Sequence, residues 1–407
     1  MAWLAQLPPN IRQYMVVTGN YWAFTLTDGA LRMLVVLYFY GLGYSPLHIA
    51  MLFVFYEVFG VITNLVGGWL GARLGLNRTM NIGLFLQIVA LGMLLVPTSL
   101  LSVAWVMAAQ ALSGIAKDLN KMSAKSSIKL LVPADAQGQL YKWVALLTGS
   151  KNALKGAGFF LGGVLLSLAG FKGAILSMLI ALVFVWLFSL WALKKDLGKA
   201  KNKAKFTELF SKSSAINYLS AARLFLFGAR DIWFVIALPV YLASEFAWDH
   251  WTVSGFLATW VIAYGLVQGF APKLTGSRSA KLPDGRHAFG WAILLSCIPA
   301  LIALALYFQW HSQEALIGGL LIFGVLFAIN SSLHSYLIVS YASEEGVSLD
   351  VGFYYMANAM GRLTGTVLSG WLYQAYGLGI CLWASSAFIL TAALLSLGLP
   401  KHQPQAS

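Results

Sequence analysis

The sequence is 407 residues long, 59% hydrophobic and only 10% charged, with a formal net charge of +13. Its mean hydropathy is +0.75. These values exclude a soluble globule and leave no room for a large soluble domain; they describe a polytopic integral membrane protein.

Residues 1–13 carry Arg12 and no signal-peptidase site before the first long apolar run, so they read as a short cytoplasmic tail rather than a cleaved leader. Apolar stretches near the ~20 residues that cross a bilayer then recur along the chain. Twelve are predicted, at 14–40, 47–72, 79–97, 101–126, 141–169, 173–193, 218–243, 251–272, 288–308, 314–341, 352–374 and 379–399. Lipid tolerates no unpaired sheet edge, so each is a helix and the protein is all-α.

Positive charge in the loops sets the orientation. With the N-terminus inside, seventeen Lys and Arg fall on the cytoplasmic side and Lys172 alone outside, which puts both termini in the cytoplasm. Seven of the seventeen lie between Lys194 and Lys212, in a connector that reads as a solvated topogenic linker with a secondary attraction for anionic lipid. It divides the chain into two six-helix bundles, 1–193 and 213–407. The halves echo each other: Asn152-Ala153-Leu154 recurs as Asn358-Ala359-Met360, and small residues follow each, Gly156, Gly158, Gly162 and Gly163 against Gly361, Gly365 and Gly370. That pattern fits the parallel repeat of a two-domain transporter.

Nine basic side chains lie inside the spans, accompanied by four carboxylates, Asp28, Glu57, Asp118 and Asp231. Charge in hydrocarbon is costly and faces a partner or a watery cavity, so these residues mark function, and the excess of cations points to a multivalent organic anion. On the first span Asp28 and Arg32 are one turn apart. Glu57 on the second has no basic neighbour within a turn; it is either a proton carrier or the partner of a lysine on the fourth or fifth span. On the fourth span Lys117, Lys121 and Lys125 form a stripe drifting about 40° per step. Asp118 is at pairing distance from Lys121, and Lys125 is expected to snorkel to the headgroups. Lys151 and Lys155 form a second stripe on the fifth span, with Lys151 near mid-bilayer.

In the second half Arg223 is expected at the interface, while Arg230 and Asp231 lie midway along the seventh span. Ligand binding and a salt bridge between the halves are equal readings for Arg32 with Asp28 and for Arg230 with Asp231. Arg362 is the best anion ligand of this half, because a guanidinium fork matches phosphate or carboxylate. Asn152, Asn330 and Asn358 either donate to an anion or link helices. His334 reads as a packing histidine or a proton relay. Cys297 and Cys381 lie far apart and suggest neither a disulfide framework nor a metal site.

Enzyme chemistry has no foothold: GxSxG, HExxH and Walker loops are all missing from the sequence. No cofactor or nucleic-acid partner is expected, the bilayer is the surrounding medium, and the protein is expected to be a monomer. An organophosphate/phosphate antiporter for uptake needs the same cations as an exporter, and a multidrug exporter is the remaining transporter alternative.

The second span ends Gly68-Trp69-Leu70-Gly71-Ala72-Arg73-Leu74-Gly75-Leu76-Asn77-Arg78, which resembles the cytoplasmic signature of the major facilitator superfamily. Ala72 stands in place of the usual aspartate and Asn77 in place of a usual basic residue. Three further segments, Tyr21 to Arg32, Ser113 to Lys125 and Gly149 to Gly156, are similar to the organoarsenical efflux permeases of the ArsJ type. That resemblance implies export of 1-arseno-3-phosphoglycerate across a bacterial inner membrane in arsenate resistance. It also implies a functional partner, glyceraldehyde-3-phosphate dehydrogenase, which makes this unstable product when arsenate replaces phosphate. Composition alone stops at a multivalent organic anion.

Overall fold

A computed structural model describes residues 9–44, 52–132, 137–193, 197–199, 213–248, 250–275, 283–344 and 346–400. Among them every regular element is helical. In chain order these are α1 Pro9–Gly41, α2 Val54–Leu74, α3 Leu76–Met93, α4 Val103–Leu131, α5 Gln137–Ala192 and α6 Ser214–Phe234. They continue with α7 Ala237–Glu245, α8 His250–Leu274, α9 Gly285–Tyr307, α10 Ser312–Tyr341, α11 Val347–Tyr376 and α12 Leu378–Ser396.

The breaks between spans have identifiable backbone reasons. The fifth and sixth expected spans are the two helical arms of α5, parted at Gly170, whose φ of 67° and ψ of −179° are non-helical and open essentially to glycine. The seventh is broken into α6 and α7 at Val235 and Ile236. Pro239 accounts for this break, since it cannot donate to the Val235 carbonyl and its ring crowds that group. Ala237 recovers a bond for its N–H from Ser369 Oγ of α11 at 3.1 Å, the kind of repair that burial in lipid requires. Seven described segments are long and apolar enough to cross a membrane by length and composition alone. α4 is outside that set because it carries Lys117, Asp118, Lys121, Lys125 and Lys129.

The chain forms two compact units, one of 1–136, 150–211 and 342–356, the other of 137–149, 212–341 and 357–407. Each expected six-helix half supplies most of one unit, while the first turns of α5 and α11 belong with the opposite half. The connector expected at 194–212 lies almost wholly outside the described residues.

In the first unit α4 packs against α1, α2 and α3. α1 and α5 cross at glycines: a Cβ on Gly158 would lie 2.6 Å from the Leu26 carbonyl oxygen, and one on Gly29 2.7 Å from that of Lys155. In the second unit α12 packs on α6 and α9, and α10 on α8 and α9. The crossing there joins α6 and α11, where a Cβ on Gly365 would lie 2.5 Å from the Gly228 carbonyl oxygen. Small residues that admit close backbone approach thus organise both units. Aromatic packing completes the second: Trp233 meets Phe323 edge-on at 5.0 Å, and Trp260 donates to the Leu320 carbonyl at 2.8 Å.

Candidate functional site

Charged residues from α1 and α4 gather around one tyrosine of the first unit. Tyr56, in the first turn of α2, is buried, and its hydroxyl donates to Asp28 of α1, 2.9 and 3.0 Å from the two carboxylate oxygens. Its ring carries two cations, with Lys117 Nζ 3.8 Å and Arg32 Cζ 5.0 Å from the centroid. A ring quadrupole attracts such cations by ~2 kcal/mol or more where water is excluded. On α4, Asp118 pairs with Lys121 at 2.6 Å and lies 3.9 Å from Lys117. Lys121 Nζ is also 4.6 Å from the ring of Tyr355. The Asp118 side chain is 1% exposed, against 17% and 14% for Lys117 and Lys121, so the carboxylate is enclosed while the ammonium groups reach solvent.

Arg32 takes a different partner from the one its sequence neighbour offers. Its Nη2 meets Glu57 Oε1 at 3.3 Å, so Glu57 has a basic partner on α1. Both side chains lie on the partly open side, whereas Asp28 is buried and takes a neutral hydroxyl. Lys125 departs from expectation as well: it is 3% exposed and does not snorkel, because its face of α4 is enclosed by protein. On α5, Lys151 donates to Asn152 Oδ1 at 3.2 Å. The Lys155 backbone sits at the Gly29 crossing, one residue from Asp28.

In the second unit Asp231 is the hub. It is fully buried on α6, 2.6 Å from Arg230 Nε and 3.2 Å from Arg362 Nε of α11. The Arg230 guanidinium is walled by Phe227, Phe234 and Phe327 at 5.2, 5.7 and 5.6 Å. Arg223 corrects the interfacial expectation. α6 starts at Ser214, four residues earlier than predicted, which carries Arg223 deeper, and it is 3% exposed. It donates to Asn358 Oδ1 at 2.9 Å and to the Ser331 carbonyl and hydroxyl at 3.2 and 3.3 Å, over the Phe227 ring at 3.8 Å. Asn358 therefore orients an arginine. Asn330 has its amide N–H groups on the carbonyls of Trp291 and Leu326, at 3.0 and 2.9 Å, so it links α10 to α9 and to its own turn instead of presenting donors to an anion. His334 on α10 is fully buried, and neither ring nitrogen has a hydrogen-bond partner among the described residues.

Each of these ion pairs lies within a single unit. Within its spans the first unit carries Arg32, Lys117, Lys121, Lys125, Lys151 and Lys155 against Asp28, Glu57 and Asp118, and the second carries Arg223, Arg230 and Arg362 against Asp231. Cations thus exceed carboxylates by three in the first unit and by two in the second. Sequence reasoning missed Tyr56, Phe227 and Ser331, since an aromatic or hydroxyl side chain in an apolar helix carries no charge to mark it.

A sequence profile described as Major Facilitator Superfamily matches residues 17–282 and 219–407. Comparison with curated protein sequences returns no match. Among solved structures, the human organic anion transporter MFSD10 superimposes with a TM-score of 0.76 at 16% identity, covering 96% of this chain and 100% of that one. A bacterial homologue of the iron transporter ferroportin, in an outward-facing state, gives 0.76 at 15% identity over 96% and 99%. The E. coli fucose:proton symporter gives 0.74 at 11% identity over 96% and 99%. At such identities the likeness is one of fold.

Proposed function

The chain belongs to the major facilitator superfamily and is a secondary transporter, and from that premise we propose that it exports a multivalent phosphorylated organic anion, most specifically 1-arseno-3-phosphoglycerate. The observation that carries this reading is the excess of cations over carboxylates within the spans of each unit, with Lys117, Lys121, Arg230 and Arg362 all partly open to solvent. The likeness of the segments around Arg32, Lys117 and Lys151 to organoarsenical permeases narrows the anion to the arsenic-bearing one.

In this reading the carboxylates serve as stand-ins for substrate. Asp118 holds Lys121, and Asp231 holds Arg230 and Arg362, while the site is empty. Phosphate and carboxylate oxygens of the substrate then compete for the same donors, and charge-assisted bonds form to the ammonium and guanidinium groups. Alternating access between two six-helix halves would carry the anion across an inner membrane with both termini in the cytoplasm.

The test is a resistance assay in cells that lack other arsenic pumps. Arsenate tolerance should appear only when the protein is expressed with glyceraldehyde-3-phosphate dehydrogenase, and arsenite tolerance should be unchanged. Full arsenate tolerance without dehydrogenase activity would sink the substrate. Uptake of organophosphate against phosphate in vesicles, with no effect on resistance, would reverse the direction of transport and favour the antiporter.

A further inference from the structure

Two grooves lie outside both clusters, at the start of the corresponding helix in each half. The first, of about 560 Å³, is formed by α3 and the distal end of α5. Its polar end holds Asn77, Arg78 and Asn81, and its wall holds Ile82, Phe85, Trp186 and Leu190. Arg78 is exposed, and Phe85 and Leu190 are 46% and 45% exposed although they are large and apolar. Trp186 fixes the two helices by donating to the Asn81 carbonyl at 3.1 Å and packing on Phe85 at 5.4 Å, so the wall is built rather than loose.

The second groove, of about 420 Å³, repeats this layout at the start of α9, with Arg286 and His287 above Gly290, Trp291 and Leu294. Gly290 makes its floor, since a Cβ there would meet no atom within 4 Å. Asp284, the acid beside it, is engaged at 2.9 Å with the His287 ring and accepts from the Arg286 N–H at 3.0 Å. Helices whose only neighbours are lipid tails have no reason to carry a hollow with an arginine at one end. In both grooves the arginine is at the end that the loop charges put at the cytoplasmic surface, and apolar side chains follow one to two turns deeper, at 1.5 Å per residue. That is the layout of a phospholipid lying along a helix, its phosphate at the guanidinium and an acyl chain on the wall.

We infer that each half carries one binding site for an anionic phospholipid of the cytoplasmic leaflet, with Arg78 and Arg286 as the headgroup ligands. Both sites are independent of what the transporter carries. The choice of an anionic lipid rests on charge: among the described residues the grooves are lined by arginine, histidine and amide groups together with apolar side chains, and by no carboxylate.

The full-length protein, stripped of lipid in detergent, should be mixed with phosphatidylglycerol or with phosphatidylcholine and weighed intact by native mass spectrometry. Two phosphatidylglycerol molecules should be retained, and phosphatidylcholine should be lost. Arg78→Gln and Arg286→Gln should each weaken one site by about tenfold or more, the loss expected for one charge-assisted hydrogen bond. Gly290→Leu, which fills the α9 groove and leaves Arg286 in place, should also remove one lipid. All variants should melt at the wild-type temperature in detergent without lipid, which separates loss of the site from loss of the fold. The inference is overturned if both lipids bind alike, if the Gln variants keep two lipids, if inorganic phosphate alone displaces the lipid, or if the grooves instead join two copies of the chain into a lipid-free dimer.

Discussion

Lys117 of α4 rests on the face of Tyr56 of α2, its Nζ 3.8 Å from the ring centroid. The same tyrosine hydroxyl is bonded to Asp28, so one side chain fixes a cation and a carboxylate that stand on two other helices. Tyr56→Phe keeps the ring and loses the hydroxyl; Tyr56→Leu loses both. A cation over an aromatic ring is worth roughly 0.5 to 2 kcal/mol, so Tyr56→Leu should weaken phosphoglycerate binding by about 2- to 30-fold. Tyr56→Phe should retain most of the affinity. Calorimetric titration of the purified variants checks this, and equal affinities for Tyr56→Leu and wild type would remove Tyr56 from the site.

Charge itself is tested by Lys117→Gln, Lys151→Gln and Arg362→Gln. Each removes one cation and keeps a polar side chain, and a charge-assisted hydrogen bond contributes roughly 1.5 to 3 kcal/mol. Binding should fall about 10- to 150-fold for each. Arg362→Lys should lie between wild type and Gln, because it keeps the charge and loses the planar fork. Wild-type affinity in Lys151→Gln and Arg362→Gln would reduce these residues to structural ion pairs.

If a proton gradient drives export, the two available carboxylates of the first unit differ in what a proton would disturb. Protonating Glu57 breaks the ion pair with Arg32 at 3.3 Å, whereas protonating Asp28 disturbs a bond to a neutral hydroxyl. Asp28→Asn is therefore expected to keep substrate exchange in vesicles and lose accumulation driven by an imposed pH gradient. Accumulation that survives in Asp28→Asn would move the coupling elsewhere.

Asp284 caps α9 from outside the membrane spans, accepting from the N–H groups of Arg286 and His287 at 3.0 and 3.4 Å. Partial burial pushes its carboxyl up, but the bonds from the His287 ring and from these two N–H groups outweigh burial and hold it below the usual carboxylate range. Folding thus lowers its affinity for protons. The stabilisation is fully present above about pH 4, the unfolded value, and disappears as pH falls through the lower folded value. Asp284→Ala should lose about 1 kcal/mol at neutral pH, and its melting temperature should converge on that of wild type in acid. Parallel melting curves at every pH would rule the cap out.

Gly158 and Gly365 mark the helix crossings, where an added side chain meets a backbone carbonyl and not a flexible group. Overpacking of this kind costs roughly 1 to 3 kcal/mol. Gly158→Val and Gly365→Val should lower both the yield of folded protein and its melting temperature, while Gly269→Ala, where a Cβ meets nothing within 4 Å, should be silent in both.

Much of the helical architecture was legible because hydrophobic length is a property of single segments. The helical spans and the glycines after Asn152 and Asn358 come from such local patterns. The proximity of Lys121 to Asp118 did too, since three residues on a helix bring side chains together. What was illegible depends on which helix faces which. Arg32 has Asp28 one turn away in sequence and takes Glu57, 25 residues on. Arg223 has no charged neighbour to betray its burial, yet it reaches Asn358, 135 residues away. Nor did Pro239 announce a break, because its effect falls on a carbonyl four residues earlier.

Tyr56 and Glu57 are consecutive on α2, and Asp28 and Arg32 stand one turn apart on α1. Their two bonds, Tyr56 to Asp28 at 2.9 Å and Glu57 to Arg32 at 3.3 Å, tie the helices together over a single turn. α1 cannot slide along α2 or turn about its own axis without breaking both. The two helices therefore travel as one piece in any conformational change, and whatever moves the carboxylate of Asp28 also moves the guanidinium of Arg32.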